Sequence, residues 1–459
     1  MKTYLKLCAV FLCTCCMLNI SCKKFLDEKP DQRLTTPSTL SDLQGLMDNY
    51  NFLYTVGYGA GEASADDYYL ETASFNSIAA ETDRRQYTWE PSYLFPPNTS
   101  TSEWYIDYRA IFYANTVLQN IKNLEKTNVN SQQWNDIAGQ AYFYRGQFFL
   151  RAALVWALAF DEQTATSDLG IPLRLTDDFN IPSVRSNNLD TYTQILSDLK
   201  HAAEVLPVRS IHLARPTKQA AFGLLARTNL AMRRYKEAGL YADSCLQLYS
   251  NLLDYNTLNA ADAYPIKQFN SEVIWWSRIF FPSTVTNTVA RIDNDLYNSY
   301  ASTDLRRQIF FITNANGTHG FKGFYEGAAA PFGGVATDEV LLTRAECYAR
   351  EGETLKAMND LNRLLKNRYI NTTAKPYVNL TANTGAQALE IILKERRKQL
   401  LMRNLRWLDL KRLNKDGANI TLQRVIDGKT YTLPPNDLRY ALPIPEDVIA
   451  LSGIPQNKR

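Results

Sequence analysis

The stretch DRRQYTWEPSYLFPPN has the side-chain types that bind sugars. Flat aromatic side chains stack on the C–H faces of sugar rings, while amides, carboxylates and guanidinium groups bind the hydroxyls. Tyr and Trp are also rigid, so ordering them against a ligand costs little entropy. We therefore regard this stretch as a candidate ligand site, the alternative being that its rings only pack a loop onto the protein. The candidate contacts are Arg84, Arg85, Trp89, Tyr93 and Asn98.

A second aromatic group follows in VIWWSRIFF, with Tyr297 further along the chain. The run of branched and aromatic residues is typical of a β-strand. Successive side chains of a strand point to opposite faces. We therefore expect one of Trp275 and Trp276 to be buried and the other to be available to a ligand, with packing again as the alternative.

Residues for catalysis or metal binding are poorly represented. The three histidines lie far apart and lack metal-ligand spacing, so we predict no metal site. No nucleophile elbow, HExxH, phosphate-binding or dinucleotide-binding motif is present. A glycoside hydrolase needs only two carboxylates, and Asp66, Asp67 and Glu103 are the best candidates in the aromatic regions. We favour roles for them in binding hydroxyls or capping helices, and we predict neither catalysis nor a cofactor.

The first residues have the layout of a secretion signal. Lys2 and Lys6 precede an almost wholly apolar run that is too short to span a bilayer. Ser21 and Cys22 then resemble the end of a bacterial lipobox, although Asn19 stands where a branched apolar residue is usual. We predict a signal peptide over residues 1–21 and lipidation of Cys22. The alternative is ordinary cleavage near Ser21 and release of a soluble protein.

Charge and cysteine content exclude some classes of protein. The formal charge of +3 falls to +1 once Lys2 and Lys6 are removed, and a near-neutral surface argues against nucleic acid as a partner. Cys245 and Cys347 are the only cysteines after Cys22. Two cysteines make no disulfide framework, so we expect both to be buried apolar residues.

Two separate stretches share a helix–turn–helix pattern. AAFGLLARTNLAMRRYKEAGLYADSCLQL has small residues at Ala226 and Ala238, and LLTRAECYAREGETLKAMNDLNRLLK has them at Ala345 and Ala357, twelve apart in each. Small residues let two antiparallel helices lie close together, as in tetratricopeptide repeats. The turn is predicted at Arg233–Arg234 in the first stretch and at Gly352 in the second.

The remaining chain alternates between helical and irregular segments. Long loops that contain Gly, Asn and many aromatic residues are usually functional. We therefore predict a mainly α protein, with residues 22–459 forming a single domain of stacked helical repeats that carries long aromatic loops and a few short strands. Further helices are predicted over 104–124, 131–160, 191–206 and from 217, and the loops near 51–103 and 250–337.

The segment ILKERRKQLLMRNLRWLDLKRL repeats its pattern at steps of three and four residues. This spacing predicts one helix that runs from Ile392 to Leu410. Its charged side chains can then pair within or between turns. We interpret it as part of the scaffold.

At this point the chain resembles the SusD/RagB family of outer-membrane lipoproteins of Bacteroidetes-type bacteria. The resemblance covers nearly the whole chain, with the motifs in family order. Single motifs are weak, but their order is specific. They include SCKKFLDEKP, EWYIDYRAIFYANTVLQNI, AYFYRGQFFLRAALVWA, RPTKQAAFGLLARTNL, NSEVIWW, DEVLLTRAECYAREGETLKAMNDLNRL, ERRKQLLMRNLRWLDLKR and LPIPEDV.

The resemblance implies a binding protein that makes and breaks no bond. Family members bind oligosaccharides, and in some cases peptides, at the cell surface, and act as the lid of a SusC-type TonB-dependent transporter. The implied location is the outer membrane, facing the exterior, with a lipid on Cys22 as anchor. Peptide uptake and a repeat-protein adaptor without a small ligand are the alternatives, and a glycoside hydrolase is a third hypothesis.

The family also carries a stacking Trp and polar contacts in the loop before the EWYIDYRAIF helix. Trp89 and Asn98 occupy roughly that place. The ligand contacts expected from the residues and the resemblance together are Asp67, Arg84, Arg85, Trp89, Tyr93, Asn98, Trp275, Trp276 and Tyr297.

Overall fold

Long helices form the framework of the protein in the computed structural model, which describes residues 37–97 and 102–459. The signal peptide predicted for residues 1–21 and the lipidation predicted at Cys22 lie outside the described residues. The helices are α1 (Leu40–Met47), α2 (Ala60–Ser64), α3 (Thr72–Asn76), α4 (Glu81–Tyr87), α5 (Glu103–Asn120), α6 (Ser131–Trp156), α7 (Asn188–Val205), α8 (Lys218–Ala231), α9 (Tyr235–Leu248), α10 (Asn294–Asn298), α11 (Arg306–Ile309), α12 (Thr337–Arg350), α13 (Thr354–Leu365), α14 (Gly385–Gln399), α15 (Arg406–Lys415) and α16 (Glu446–Ser452).

Short strands pair two by two between the helices. The strands are β1 (Thr55–Tyr58), β2 (Tyr68–Leu70), β3 (Leu169–Pro172), β4 (Arg185–Asn187), β5 (Val273–Trp275), β6 (Arg278–Phe280), β7 (Ala290–Ile292), β8 (Phe311–Thr313), β9 (His319–Phe321), β10 (Val335–Ala336), β11 (Leu422–Ile426) and β12 (Lys429–Leu433). β1 pairs with β6 in parallel and β2 pairs with β7 antiparallel, so the two predicted aromatic regions are joined to each other. The predicted mainly α fold with a few short strands is confirmed.

The helices stack in antiparallel pairs, as the alanine spacing predicts. α8 packs on α9, α9 on α12, and α12 on α13 and α14, while α5, α6 and α7 form the preceding layer. Ala226, Ala238, Ala345 and Ala357 are all at most 1% exposed. Their small side chains lie at the helix contacts, which is the reason that two separate stretches share the same spacing.

The turns inside the two repeats also lie where they are predicted. Arg233, with φ of 60°, separates α8 from α9, and Gly352, with φ of 80°, separates α12 from α13. Both residues adopt the left-handed conformation that ends a helix. Cys245 and Cys347 are buried free thiols on the helices that flank these turns, as expected of apolar residues.

The prediction of one helix from Ile392 to Leu410 is wrong. α14 ends at Gln399 and α15 begins at Arg406, and the linker contains left-handed residues at Met402 and Asn404. The Asn404 amide donates a hydrogen bond to Glu62 Oε2 at 2.7 Å, and the Glu62 amide donates to Asn404 Oδ1 at 3.0 Å. This docking of α2 holds the chain in a bent conformation that periodicity alone does not reveal.

Among the described residues, no helix combines the length and the apolar character needed to cross a membrane. The longest, α6, ends at Trp156 rather than at the predicted residue 160, and it is buried within the stack of helices.

Gly170, in β3, occupies a position with no room for a side chain. A β-carbon there would lie 2.5 Å from the carbonyl oxygen of Asn187, in the strand that pairs with β3. We expect Gly170→Ala to lower the free energy of unfolding by about 1–3 kcal/mol, because backbone must move to admit the methyl group. Gly45→Ala, in α1 with open space around it, should instead raise it by about 0.5–1 kcal/mol. Urea denaturation followed by circular dichroism compares the two variants, and equal stabilities would contradict this account.

Candidate functional site

Trp89 lies inside the protein rather than on a ligand-facing surface. Its side chain is 2% exposed, and its Nε1 donates a hydrogen bond to the carbonyl oxygen of Ser64 at 3.0 Å. The Arg424 guanidinium carbon lies 4.5 Å from its ring centroid. The expectation that Trp89 is available for stacking is therefore corrected: in this conformation the protein itself covers the ring.

The expectation that one of Trp275 and Trp276 is available is also wrong, because both are 1% exposed. Trp275 Nε1 donates to the Ala214 carbonyl at 2.8 Å, so one face of β5 is covered by the chain before α8. Trp276 follows the strand, and its ring stacks under Tyr50 at a centroid distance of 5.9 Å. Other segments therefore cover both rings.

Tyr297 is half-buried and already stacked. Its ring lies 3.4 Å from that of His319, between centroids, and the guanidinium of Arg307 lies 4.9 Å from it. Both neighbours occupy contacts that a ligand ring would otherwise make.

The polar candidates mostly hold the loop together. Arg84 forms an ion pair with Glu81 at 2.6 Å, and Arg85 Nε donates to the carbonyl of Ser92 at 2.9 Å. Asn98 lies outside the described residues. Tyr93 differs from these, because its side chain is 60% exposed.

The candidate carboxylates form internal ion pairs with arginines. Asp66 pairs with Arg406 at 2.6 Å, and Asp67, which is 1% exposed, pairs with Arg397 at 3.1 Å. Burial raises the pKa of Asp67 to about 6, against the effect of both arginines. These carboxylates fix α2 and β2 to the end of α14 and the start of α15, a structural role that the sequence analysis did not anticipate.

Glu103 is buried in the first turn of α5, with its Oε1 3.6 Å from Arg151 Nη2. Asp107, one turn later, lies 3.1 Å from the same guanidinium. Burial raises the pKa of Glu103 to about 8 and that of Asp107 to about 7. Within the described part of the chain, no group of three His, Cys, Asp or Glu residues is placed to hold a metal ion.

A concave aromatic surface lies beside the loop that contains Tyr93. The amide of Tyr93 donates to Glu446 Oε1 at 2.6 Å, and the helix that begins with Glu446 supplies Val448 and Ser452 to a cavity of about 280 Å³. We call this cavity the aromatic groove. It is lined by Trp104, Tyr108, Phe112, Asn115, Pro172, Arg174, Thr176, Phe179, Ser183, Val448, Ser452 and Ile454.

One face of α5 supplies the rings of the groove. Trp104, Tyr108 and Phe112 are spaced four residues apart, which places them in one row along a helix. Trp104 and Tyr108 stack with centroids 4.6 Å apart, and Phe112 remains 42% exposed. This four-residue spacing is the sequence signal for the ring row, and it lies on a helix rather than in the predicted aromatic loops.

The opposite wall of the groove is the connection between β3 and β4. The Tyr108 hydroxyl donates to the carbonyl of Pro172 at 2.9 Å, and Asn115 Nδ2 donates to the carbonyl of Arg174 at 2.8 Å. Asn115 is itself held by Arg145, whose Nη1 donates to Asn115 Oδ1 at 3.0 Å. The base of this connection is therefore fixed to α5 and α6.

Arg174 folds the connection back on itself. Its guanidinium donates to the carbonyls of Asp178 and Ile181. The turn formed in this way presents Phe179, which is 83% exposed. The groove thus combines exposed rings at Phe112 and Phe179 with the hydroxyls of Ser183 and Ser452, an arrangement that suits a ligand with both apolar faces and hydrogen-bonding groups.

Comparisons with known proteins agree with the fold. Residues 24–230 match a SusD-like family model described as starch-binding and associating with the outer membrane, and residues 338–457 match the SusD family model. No curated protein matches the chain significantly.

Solved structures of Bacteroides proteins share the architecture. A SusD superfamily protein from Bacteroides thetaiotaomicron is 20% identical, with a TM-score of 0.73 over 92% of this chain and 100% of that one. A SusD-like carbohydrate-binding protein from Bacteroides vulgatus is 20% identical, with a TM-score of 0.67 over 91% and 97%. A SusD superfamily protein from Bacteroides fragilis is 19% identical, with a TM-score of 0.70 over 91% and 99%.

The two family models match opposite ends of the chain and together span most of it, and the fold that joins them is the one shared by these structures. The chain therefore belongs to the SusD/RagB family, whose members are non-enzymatic binding proteins associated with the outer membrane.

Proposed function

We propose that this protein is a cell-surface lipoprotein that binds oligosaccharides and delivers them to a SusC-type TonB-dependent transporter. The aromatic groove carries the proposal, because its exposed rings and hydroxyls match the two chemical surfaces of a sugar. Family membership supports the location at the outer membrane and the transporter as partner. A lipid on Cys22, with residues 22–459 forming one domain, would anchor the protein beside that transporter, and multiple acyl chains would make the anchor stable.

Tyr93 is the member of the sequence-derived site that this proposal retains as a ligand contact. It is exposed and is tied through Glu446 to the helix that lines the groove. The buried Trp89 and the partly exposed Arg84 and Arg85 hold the loop that contains Tyr93, so they act on binding through the position of Tyr93.

Peptide uptake is a second candidate function. Ile181 and Val184 are 47% and 74% exposed on the same connection as Phe179. Contiguous exposed apolar surface also suits the side chains of an extended peptide. Parallel titration with oligosaccharides and with mixed apolar peptides distinguishes the two ligand classes.

Removing the exposed rings should weaken binding. We expect Phe112→Ala/Phe179→Ala to reduce the affinity for the oligosaccharide that the wild type binds by about tenfold or more, because two stacking contacts are lost. Isothermal titration calorimetry measures the change. Phe280→Ala, which removes a ring that is 48% exposed outside the groove, is the matched control and should leave the affinity unchanged.

Unchanged affinity in the double variant would remove the groove from the proposal.

Delivery is tested separately, by co-purification of the lipidated protein with a barrel from outer membranes and by oligosaccharide uptake after deletion of the gene. Uptake that persists at the wild-type rate without the protein would contradict the delivery role.

A further inference from the structure

Three separate segments contribute aromatic rings to a connected set of ring contacts around Trp276. Tyr50 stacks on Trp276 with centroids 5.9 Å apart and an interplanar angle of 16°. Phe269 meets the same indole edge-on at 5.5 Å, and His212 meets Phe269 edge-on at 5.0 Å. Tyr50 is 46% and Phe269 is 39% exposed, so the buried tryptophan carries a surface layer of rings. We call Tyr50, His212 and Phe269 the aromatic platform.

The backbone is unusual at two of these positions. Phe269 has φ of 55°, a left-handed conformation that costs a bulky residue roughly 1–2 kcal/mol. Tyr50 begins a π-helical turn, Tyr50–Tyr54, a rare conformation that is frequent at functional sites. Neither ring gains full burial in return, so these conformations are not explained by packing alone.

A buried carboxylate fixes the base of the platform. Glu326, which is 6% exposed, accepts hydrogen bonds from Trp276 Nε1 at 2.5 Å, from Arg278 at 2.8 Å and from Gln268 at 3.1 Å. Gln268 directly precedes Phe269, so the same carboxylate holds both the underlying indole and the strained segment. A platform held in this way loses little entropy when a ligand binds.

His212 adds a polar group to the platform. Its Nδ1 accepts a hydrogen bond from the Ala214 amide at 3.1 Å, so in the neutral ring the proton is on Nε2. The side chain is exposed, and Nε2–H is therefore a donor for a ligand hydroxyl beside the ring of Phe269.

We propose that the aromatic platform is a second saccharide-binding site, one that takes an uncharged oligosaccharide with C–H faces of its sugar rings on Tyr50 and on Phe269 and a hydroxyl on His212. The inference rests on the proposed function, since both assign sugars as ligands. The platform shares no residue with the aromatic groove, so the protein holds an oligosaccharide at two separate places or holds two chains at once.

The test counts binding sites with short ligands. The purified protein is titrated calorimetrically with maltotriose, cellotriose, xylotriose and mannotriose. Trisaccharides are short, so each molecule is expected to occupy one site. Wild type is expected to bind two molecules of the recognised trisaccharide, and Tyr50→Ala/Phe269→Asn is expected to bind one. Asn tolerates the left-handed conformation, so this variant keeps the backbone while losing the ring.

The groove variant Phe112→Ala/Phe179→Ala provides the matched comparison and is also expected to bind one molecule. If the wild type binds one molecule, and this binding is lost in the groove variant but kept in the platform variant, the second site is overturned. The proposed function then still stands. Absence of binding by every trisaccharide and by longer chains of the same sugars overturns both. Binding lost only in the platform variant assigns saccharide binding to the platform, overturns the two-site arrangement and removes the groove from the proposed function.

Discussion

Replacing Glu346 with alanine is expected to lower the free energy of unfolding by about 3–5 kcal/mol. Glu346 is 0% exposed, and its two carboxylate oxygens accept hydrogen bonds from Arg412 Nη1 and Nη2 at 2.6 and 2.8 Å. Arg412 is 1% exposed, so removal of Glu346 leaves a guanidinium inside the protein with much of its compensating charge lost. Breaking a buried ion pair from one side is costly for this reason.

The loss of stability in Glu346→Ala is larger because the Glu346–Arg412 pair belongs to a network. Arg412 Nε also donates to Asp409 at 2.8 Å, and the other oxygen of Asp409 accepts from Arg396 Nε at 2.9 Å. These contacts join α12, α14 and α15, so a change at Glu346 disturbs the contact of three helices. Arg396 and Asp409 pair across the bend between α14 and α15, where periodicity predicts a single long helix.

Glu390→Ala is the matched control for this prediction. Glu390 pairs with Lys394 at 2.7 Å on α14, but both side chains are largely exposed. Exposed pairs of this spacing contribute little to stability, because solvent screens the charges. Guanidinium denaturation of the wild type and both variants gives the comparison. A loss below 1 kcal/mol in Glu346→Ala would show that the buried network does not stabilise the helix stack.

Raising the pH from 5 to 9 is expected to reduce the stability of the protein by several kcal/mol through Glu103 and Asp107. Burial raises the pKa of Glu103 from 4.5 to about 8 and that of Asp107 from 3.8 to about 7, and the nearby Arg151 opposes both shifts. The folded protein therefore holds protons that the unfolded chain releases near pH 4. This stabilising contribution is present below the unfolded values and is lost as the pH rises through 7 and 8.

The variant Glu103→Gln/Asp107→Asn isolates this contribution from that of other carboxyl groups. Its free energy of unfolding should depend less on pH between 5 and 9 than that of the wild type. Glu390→Gln is the control, since Lys394 lowers the pKa of Glu390 and its titration lies below this range. Parallel profiles for the wild type and the double variant would show that Glu103 and Asp107 titrate normally.

The protein itself covers the tryptophan rings of the predicted ligand sites. Trp275 ends β5 and Trp276 lies just beyond it, and the Ala214 carbonyl contacts one ring while Tyr50 covers the other. Trp89 has a ring face and an N–H group that could bind a ligand, but Arg424 contacts the ring and the Ser64 carbonyl accepts the N–H hydrogen bond. Residue type indicates which contacts a side chain can make, whereas burial decides whether a ligand or the protein makes them.

Local sequence patterns are enough to predict the elements that depend on near neighbours along the chain. The twelve-residue alanine spacing identified the helix pairs, and the turns at Arg233 and Gly352 follow from contacts within one repeat. The ordered motifs were enough to indicate the family. Such features depend on residues a few positions apart, so they can be predicted from a short stretch of sequence.

Which aromatic rings face solvent depends instead on contacts between distant segments. The aromatic groove joins α5, the β3–β4 connection and α16, and the aromatic platform joins residues 50, 212 and 269. The bend between α14 and α15 likewise depends on Glu62, more than 300 positions away. Contacts at such separations are fixed by packing of the whole chain, because the burial of one ring depends on segments whose position its own neighbours do not encode.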